Sequence, residues 1–118
     1  MGDGKEEKEL LYILSAQIVP VRSGTCATVR ISLLSRDEAE KLLKNNEFVS
    51  AVGHAGTAEA LASLLGVTVP ATRVAIFLEP GDMAIQFVLR QRLPEGVVLN
   101  RENVEEMGFD LNLVERID

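Results

Sequence analysis

The sequence predicts a single α/β domain with a mixed sheet of about five strands flanked by short helices. Two observations favour this fold class. Apolar stretches with strand periodicity alternate with amphipathic stretches, and the latter begin at residues typical of helix caps. A length of 118 residues is enough to bury a core, and a hydrophobic content of 47% is ordinary for a globular protein.

The amino-terminal half is predicted to contain two strands and a helix. The first strand covers residues 9–19, whose apolar beginning is typical of a central strand buried on both faces. Alternating residues predict a second strand over 27–33. Ser35 and Glu38 have the spacing of a capping box, which predicts a helix that ends near residues 45–46.

The central part is predicted to form a helix followed by a β-hairpin. The helix covers residues 57–65, and Gly66 lies where a carboxyl-terminal cap glycine is expected. Residues 73–78 and 83–89 both have strand patterns. The Glu-Pro-Gly-Asp sequence between them is typical of a tight turn, so the two strands are predicted to pair with each other.

The carboxyl-terminal part completes the predicted domain. Asn100 is expected to cap a short helix that continues to Met107 and is closed by Gly108. Residues 109–113 alternate between apolar and polar and predict the last strand. No internal repeat or low-complexity linker divides the chain.

Charge and composition exclude several classes of function. The net charge of −6 argues against binding to duplex nucleic acid, which needs a basic surface, but leaves room for a local anion site. The single cysteine, Cys26, excludes an internal disulfide and a zinc cluster, and it is expected to be buried. Residues 1–8 are predicted to be a disordered acidic tail on a domain covering 9–118. No signal peptide or membrane span is recognised, so a cytoplasmic location is expected.

The single histidine, His54, lies between Gly53 and Gly56 in a loop that leads into the second helix at Thr57. Unpaired backbone N–H groups at a helix start favour a bound phosphate. Histidine changes charge near neutral pH without special tuning. A proton donor beside an anion site suggests phosphate-ester chemistry. From these residues alone, the alternative is a loop histidine that caps the helix.

Two further motifs accompany this loop. They are Thr-Arg-Val at residues 72–74 and Gln-Arg-Leu-Pro-Glu-Gly at residues 91–96. Together with the His54 loop, they resemble the small viral ring nucleases that act as type III anti-CRISPR proteins, and their cellular relatives. Members of this family are homodimers that cut cyclic tetra-adenylate into linear di-adenylates without a metal or another cofactor. The resemblance extends over about residues 12–98.

The resemblance also implies the site residues. His54 matches the catalytic histidine, and Arg92 and Glu95 match the arginine and glutamate beside the scissile phosphate. Arg73 matches an arginine associated with the ligand site. Arg90 is not part of the family motif, but it would lie on the same strand face as Arg92 and is expected to add positive potential there. The other residues assigned to substrate binding are Gly53, Gly56, Thr57 and Gln91. The first strand departs from the family pattern at residues 15–18, where Ser15 could still donate a hydrogen bond to the ligand.

These residue types suit the implied reaction because RNA provides its own nucleophile, the 2′-hydroxyl. His54 as imidazolium would protonate the leaving 5′-oxygen, and Arg92 would hold the non-bridging oxygens. Glu95 would either orient Arg92 or accept the 2′-hydroxyl proton. A two-fold dimer would place two copies of His54 around one axis, where a four-nucleotide ring presents opposite phosphates.

Two functions from other classes remain open. The chain could bind a cyclic oligonucleotide without turnover and so sequester it, or it could be an interaction module without a nucleotide site. In the second case Arg92 would be a surface arginine with Glu95 as its exposed partner. A viral copy would work in the host cytoplasm and disarm defence, whereas a cellular copy would reset signalling.

Overall fold

The computed structural model describes residues 10–15, 19–91 and 99–118, which form one sheet and three helices. The predicted tail, residues 1–8, lies outside the described residues. The strands are β1 (Leu11–Leu14), β2 (Val29–Leu34), β3 (Val49–Ser50), β4 (Met83–Leu89) and β5 (Phe109–Arg116). The helices are α1 (Arg36–Asn45), α2 (Ala55–Leu65) and α3 (Arg101–Met107).

The sheet is mixed and has the strand order β2-β5-β4-β1-β3. β1 runs parallel to both of its neighbours, and Tyr12 pairs with Val49 on one side and Ala84 on the other. β5 runs antiparallel to β2 and β4. The predicted α/β class with a five-stranded mixed sheet is therefore confirmed. All four residues of β1 are buried, as expected of a central strand.

The helices pack on one face of this sheet. Ile13 and Ile85 share a buried cluster with the helical residues Leu43, Leu61 and Val104. The opposite face carries a second, smaller cluster, which contains Tyr12, Leu14, Ala84 and Val114 from the strands and Leu78 from a loop. Full burial of a large aliphatic side chain contributes about 1.5–3 kcal/mol, so the helical layer is the main source of stability.

Two of the three helices begin at the capping residues that the sequence indicates. The Ser35 hydroxyl accepts a hydrogen bond from the Glu38 N–H at 3.1 Å, and the Glu38 carboxylate accepts one from the Ser35 N–H at 2.9 Å. Hydrogen bonding of the Glu38 carboxylate to the Ser35 backbone N–H, and then to the Ser35 side chain, lowers the pKa of Glu38. Asn100 and Asn103 form the corresponding pair at α3. Gly66 ends α2 with φ of 67°, a left-handed conformation that favours glycine.

The predicted hairpin is wrong. β4 pairs with β1 and β5, so neither of its edges is open to residues 73–78. That segment is not a strand, and instead it lies across the face opposite the helices, where Leu78 is fully buried. Its apolar residues fit this position only in part, since Ile76 packs against the cluster of that face whereas Val74 and Phe77 are 47% and 41% exposed. The Pro80-Gly81 turn does occur, with φ of 92° at Gly81.

Several boundaries also differ from the predicted ones. α2 begins two residues earlier, at Ala55, so Thr57 is its third residue rather than its cap. The two-residue strand β3 is too short for a periodicity to reveal it, and it replaces residues 73–78 as the fifth strand. Cys26 is exposed rather than buried. Within the described ranges, no helix is both long enough and apolar enough to span a bilayer.

Candidate functional site

Three parallel strands end at the same edge of the sheet, and the candidate site lies there. β1 is followed by Ser15, β3 by the loop 51–54, and β4 by Arg90 and Gln91. In α/β sheets, ligands bind outside the carboxyl ends of parallel strands, where loops and helix starts converge. The topology therefore brings Ser15, His54 and the end of β4 to one place, although they are far apart in the sequence.

His54 occupies the residue before α2 and has extended backbone dihedrals, φ −116° and ψ 127°. Its side chain is exposed and makes no capping hydrogen bond to the helix. The structure thus contradicts the alternative in which His54 serves as a side-chain cap. The first turn of α2 also contains no acidic residue, in contrast to α1 and α3. The amino-terminal N–H groups of α2 therefore have neither a side-chain cap from His54 nor a carboxylate in the first turn of the helix.

A cleft of about 290 Å³ opens in front of this helix start. Its polar side chains are Ser15, His54 and Thr57, and its apolar wall is formed by Phe87, Val88, Leu89 and Leu99. Three of the residues predicted from sequence are therefore brought together. Hydroxyl, imidazole and backbone N–H groups around one cleft form a suitable environment for a phosphate group.

Arg73 lies against the loop that carries His54. Its Nε donates a hydrogen bond to the Gly53 carbonyl at 3.3 Å. Among the described residues, no carboxylate pairs with Arg73. Five other arginines do lie within 4.0 Å of a carboxylate oxygen, namely Arg22, Arg30, Arg36, Arg90 and Arg101. Arg73 is not among the residues that line the cleft, but its charge lies against the adjoining loop without a carboxylate partner among the described residues.

The glycines of the loop have different roles. A Cβ atom on Gly53 would lie 3.1 Å from the Arg73 Cγ, a distance that would force the arginine to move. Glycine therefore allows the close contact between these two segments. Gly56 is half-buried in the first turn of α2. Gln91 is exposed beyond the end of β4 and is not among the residues that line the cleft.

Arg90 does not supply the free positive charge that the sequence suggests. Its guanidinium lies 2.8 Å from the Asp110 carboxylate, and its backbone N–H donates to the Gly108 carbonyl. The hydrogen bond from Arg90, together with its charge, lowers the pKa of Asp110, and the same pair raises the pKa of Arg90. Arg92 and Glu95 lie outside the described residues.

A second cleft, of about 460 Å³, adjoins the first and is largely apolar. Ser15 lines both clefts. The apolar wall of the second one comes from residues 19–21 and 74–77 together with Leu14 and Ala51. The sequence does not reveal this cleft, because it exists only when residues 73–78 lie across the sheet face. In the described part of the chain, no group of three or more metal-ligating side chains is assembled.

Comparisons with known proteins agree with this fold. The chain is 43% identical over 111 residues to the ORF117 protein of Acidianus two-tailed virus, covering 92% of this chain and 94% of the relative. It is 37% identical over 107 residues to protein 26 of Sulfolobus islandicus filamentous virus, covering 90% and 91%. The solved structure of B116 from Sulfolobus turreted icosahedral virus superposes with a TM-score of 0.67 at 23% identity, covering 92% of this chain and 99% of B116. The model of the STIV B116-like family matches residues 11–111, and the chain belongs to that family.

Proposed function

We propose that this chain is a metal-independent ring nuclease that binds cyclic tetra-adenylate and cleaves it to linear di-adenylates. Such an activity would switch off type III CRISPR signalling in the host cytoplasm. One observation carries the proposal. His54 lies exposed at an uncapped helix start, and the unpaired charge of Arg73 lies beside it. A proton donor in the cleft and a cation without a carboxylate partner against the adjoining loop suit a phosphodiester.

In the proposed reaction the ribose 2′-oxygen attacks the adjacent phosphorus while the bond to the 5′-oxygen breaks. The products are a 2′,3′-cyclic phosphate and a 5′-hydroxyl, and the imidazolium of His54 gives its proton to the leaving oxygen. The resemblance assigns Arg92 to the non-bridging oxygens. The 2′-hydroxyl proton passes to Glu95 if that residue is the base, and to water if Glu95 only orients Arg92. Leu89 and Leu99 precede and follow that segment in the chain, and both line the cleft.

The size of the site supports a ring shared between two protomers. A cleft of about 290 Å³ is at the small end of ligand sites and suits a single phosphate and its sugar. The adjoining apolar cleft is suitable for a base. A four-nucleotide ring is larger than either, so we propose that two copies of the chain each bind half of it around a two-fold axis.

β2 offers an exposed apolar surface for this homodimer, beside the part of the sheet face that residues 73–78 cover. Ile31 and Leu33 are 54% and 75% exposed on β2, on the face opposite the helices. A two-fold axis along the strands would pack these faces together and place both candidate sites at the same end. We expect light scattering to give about twice the 12.9 kDa mass of one chain. A monomer under conditions where the ring is bound would contradict the shared site.

Arg73→Ala is expected to weaken binding of cyclic tetra-adenylate by about 10- to 100-fold, since a hydrogen bond to a charged group contributes about 1.5–3 kcal/mol. Arg73→Lys keeps the charge and should lose less. Arg30→Ala is the matched control, because it removes the same charge from β2, where Arg30 is paired with Glu115. Isothermal titration at two salt concentrations measures the effect. Equal losses in Arg73→Ala and Arg30→Ala would show that only net charge matters.

The decisive experiment is a single-turnover assay of the wild-type chain with cyclic tetra-adenylate and EDTA, together with thermal unfolding with and without the ring. Cleavage to di-adenylates in EDTA supports the proposal. Stabilisation without cleavage would instead support a sequestering protein, since a ligand at 100 times its dissociation constant adds about 2.7 kcal/mol of stability. Neither cleavage nor stabilisation would overturn both nucleotide functions.

A further inference from the structure

The loop before His54 is held by hydrogen bonds from both sides. On the side of β1, the Ala51 N–H donates to the Ile13 carbonyl at 3.0 Å. On the other side, the segment 70–73 lies alongside the loop. There the Thr72 N–H donates to the Val52 carbonyl at 2.8 Å, and the Arg73 Nε donates to Gly53. The chain that leaves the end of α2 therefore returns to support the beginning of the same helix.

Ser50 connects these two segments through its side chain. It is only 5% exposed, and its hydroxyl donates a hydrogen bond to the Pro70 carbonyl at 2.6 Å. The same oxygen lies 3.3 Å from the Val52 N–H and accepts its hydrogen bond. Val52 is fully buried, so this N–H is removed from water and depends on a protein partner. The Ser50 hydroxyl thus acts on the backbone two residues before His54.

His54 has no comparable support of its own. Its imidazole makes no cap bond, and no hydrogen bond from it to another described residue is present. Its position relative to Ser15 and Thr57 across the cleft therefore depends on the backbone on either side of it. One side is α2, and the other is the loop that Ser50 holds.

We propose that Ser50 is a positioning residue for His54, an inference that rests on the proposed function. The hydroxyl holds the loop against residues 70–73 and so determines where the imidazole lies in the cleft. Misplacement of a catalytic group by about 1 Å lowers a rate by about 100-fold. Ser50 is not expected to touch the substrate, because it is buried behind the loop and does not line the cleft.

The test compares Ser50→Ala with Ser35→Ala. Both remove a serine hydroxyl that bonds a backbone N–H, but Ser35 caps α1, whose first residue, Arg36, contacts Leu64 at the end of α2 away from His54. Three quantities are measured for each variant. The first two are the single-turnover rate of cyclic tetra-adenylate cleavage and the dissociation constant of the ring. The third is the imidazole NMR signal of the untagged protein, which comes from His54 alone because the chain has a single histidine.

We expect Ser50→Ala to lower the single-turnover rate by at least about 10-fold with less than a 3-fold change in the dissociation constant. Its imidazole signal should shift or broaden. Ser35→Ala should lose stability without changing the rate or the signal. Ser50→Thr, which keeps the hydroxyl, should restore the wild-type signal if it folds.

The NMR arm keeps this inference separate from the proposed function. If the wild-type chain does not cleave the ring, a changed imidazole signal in folded Ser50→Ala still supports positioning. An unchanged signal in folded Ser50→Ala overturns it, whatever the activity. Should Ser50→Ala fail to fold, Ser50→Cys serves instead, because a thiol fills similar space but is a much weaker hydrogen-bond donor and acceptor than the hydroxyl that bonds Pro70 and Val52. An unchanged signal there would also overturn the inference.

Discussion

His54→Ala is expected to cleave cyclic tetra-adenylate at least about 100-fold more slowly than the wild-type chain, because loss of a general acid removes about 10²- to 10⁴-fold in rate. Binding should change much less, since Arg73 and the start of α2 remain. The fold should also be unaffected, because the imidazole is exposed and makes no capping bond. Single-turnover assays in EDTA and thermal unfolding measure the two effects.

The control for this variant is His54→Gln, which keeps a polar side chain of similar length that cannot donate a proton as an acid. It should be as slow as His54→Ala. A variant that lacks the imidazole and still cleaves at the wild-type rate would remove His54 from the mechanism. A loss of ring affinity equal to the loss of rate would instead make His54 a binding residue rather than an acid.

Local signals account for the parts of the fold that the sequence predicts correctly. The Ser35–Glu38 pair and Asn100 form hydrogen bonds within a single helical turn, so their effect does not depend on distant residues. The apolar run of β1 is likewise explained by burial on both sides. Residues 73–78 mislead because a short apolar run indicates burial but not the element against which it packs. Residues 73–78 pack on the sheet face rather than pair as a strand because β4 already pairs with β1 and β5.

The same distinction applies to the site. His54 and Thr57 are close in sequence and begin one helix, so the motif alone places them together. That Ser15 reaches the same cleft follows from the parallel pairing of β1, which the sequence does not specify. The support given by Ser50 is also tertiary, because its partner Pro70 lies beyond α2. A lone serine after a valine carries no signal of such a role.

Asp82→Ala is expected to destabilise the protein more than any surface substitution. Asp82 is only 4% exposed, and its two carboxylate oxygens accept hydrogen bonds from different parts of the chain. One oxygen accepts from the Leu10 N–H at 3.0 Å, next to the start of β1, and the other from the Glu79 N–H at 2.9 Å in the turn before β4. The side chain thereby joins two parallel strands at their amino-terminal ends.

Alanine at position 82 would leave both N–H groups without their acceptor in a partly buried environment. An unsatisfied buried donor costs about 1–3 kcal/mol, so we expect a loss of about 2–4 kcal/mol and a fall in Tm of about 10 °C or more. Asp37→Ala is the control, because it removes an exposed carboxylate from the first turn of α1 and should lose below about 1 kcal/mol. Urea unfolding compares the two.

The conservative variant separates hydrogen bonding from charge. Asp82→Asn retains one oxygen acceptor but directs an NH₂ group at the second N–H. Its free energy of unfolding should therefore lie between those of Asp82→Ala and the wild-type chain. Because the amino-terminal ends of β1 and β4 lie opposite the candidate site, a destabilised Asp82 variant that is still folded should cleave the ring at the wild-type rate. A folded variant with reduced cleavage would show that the two ends of the sheet are coupled.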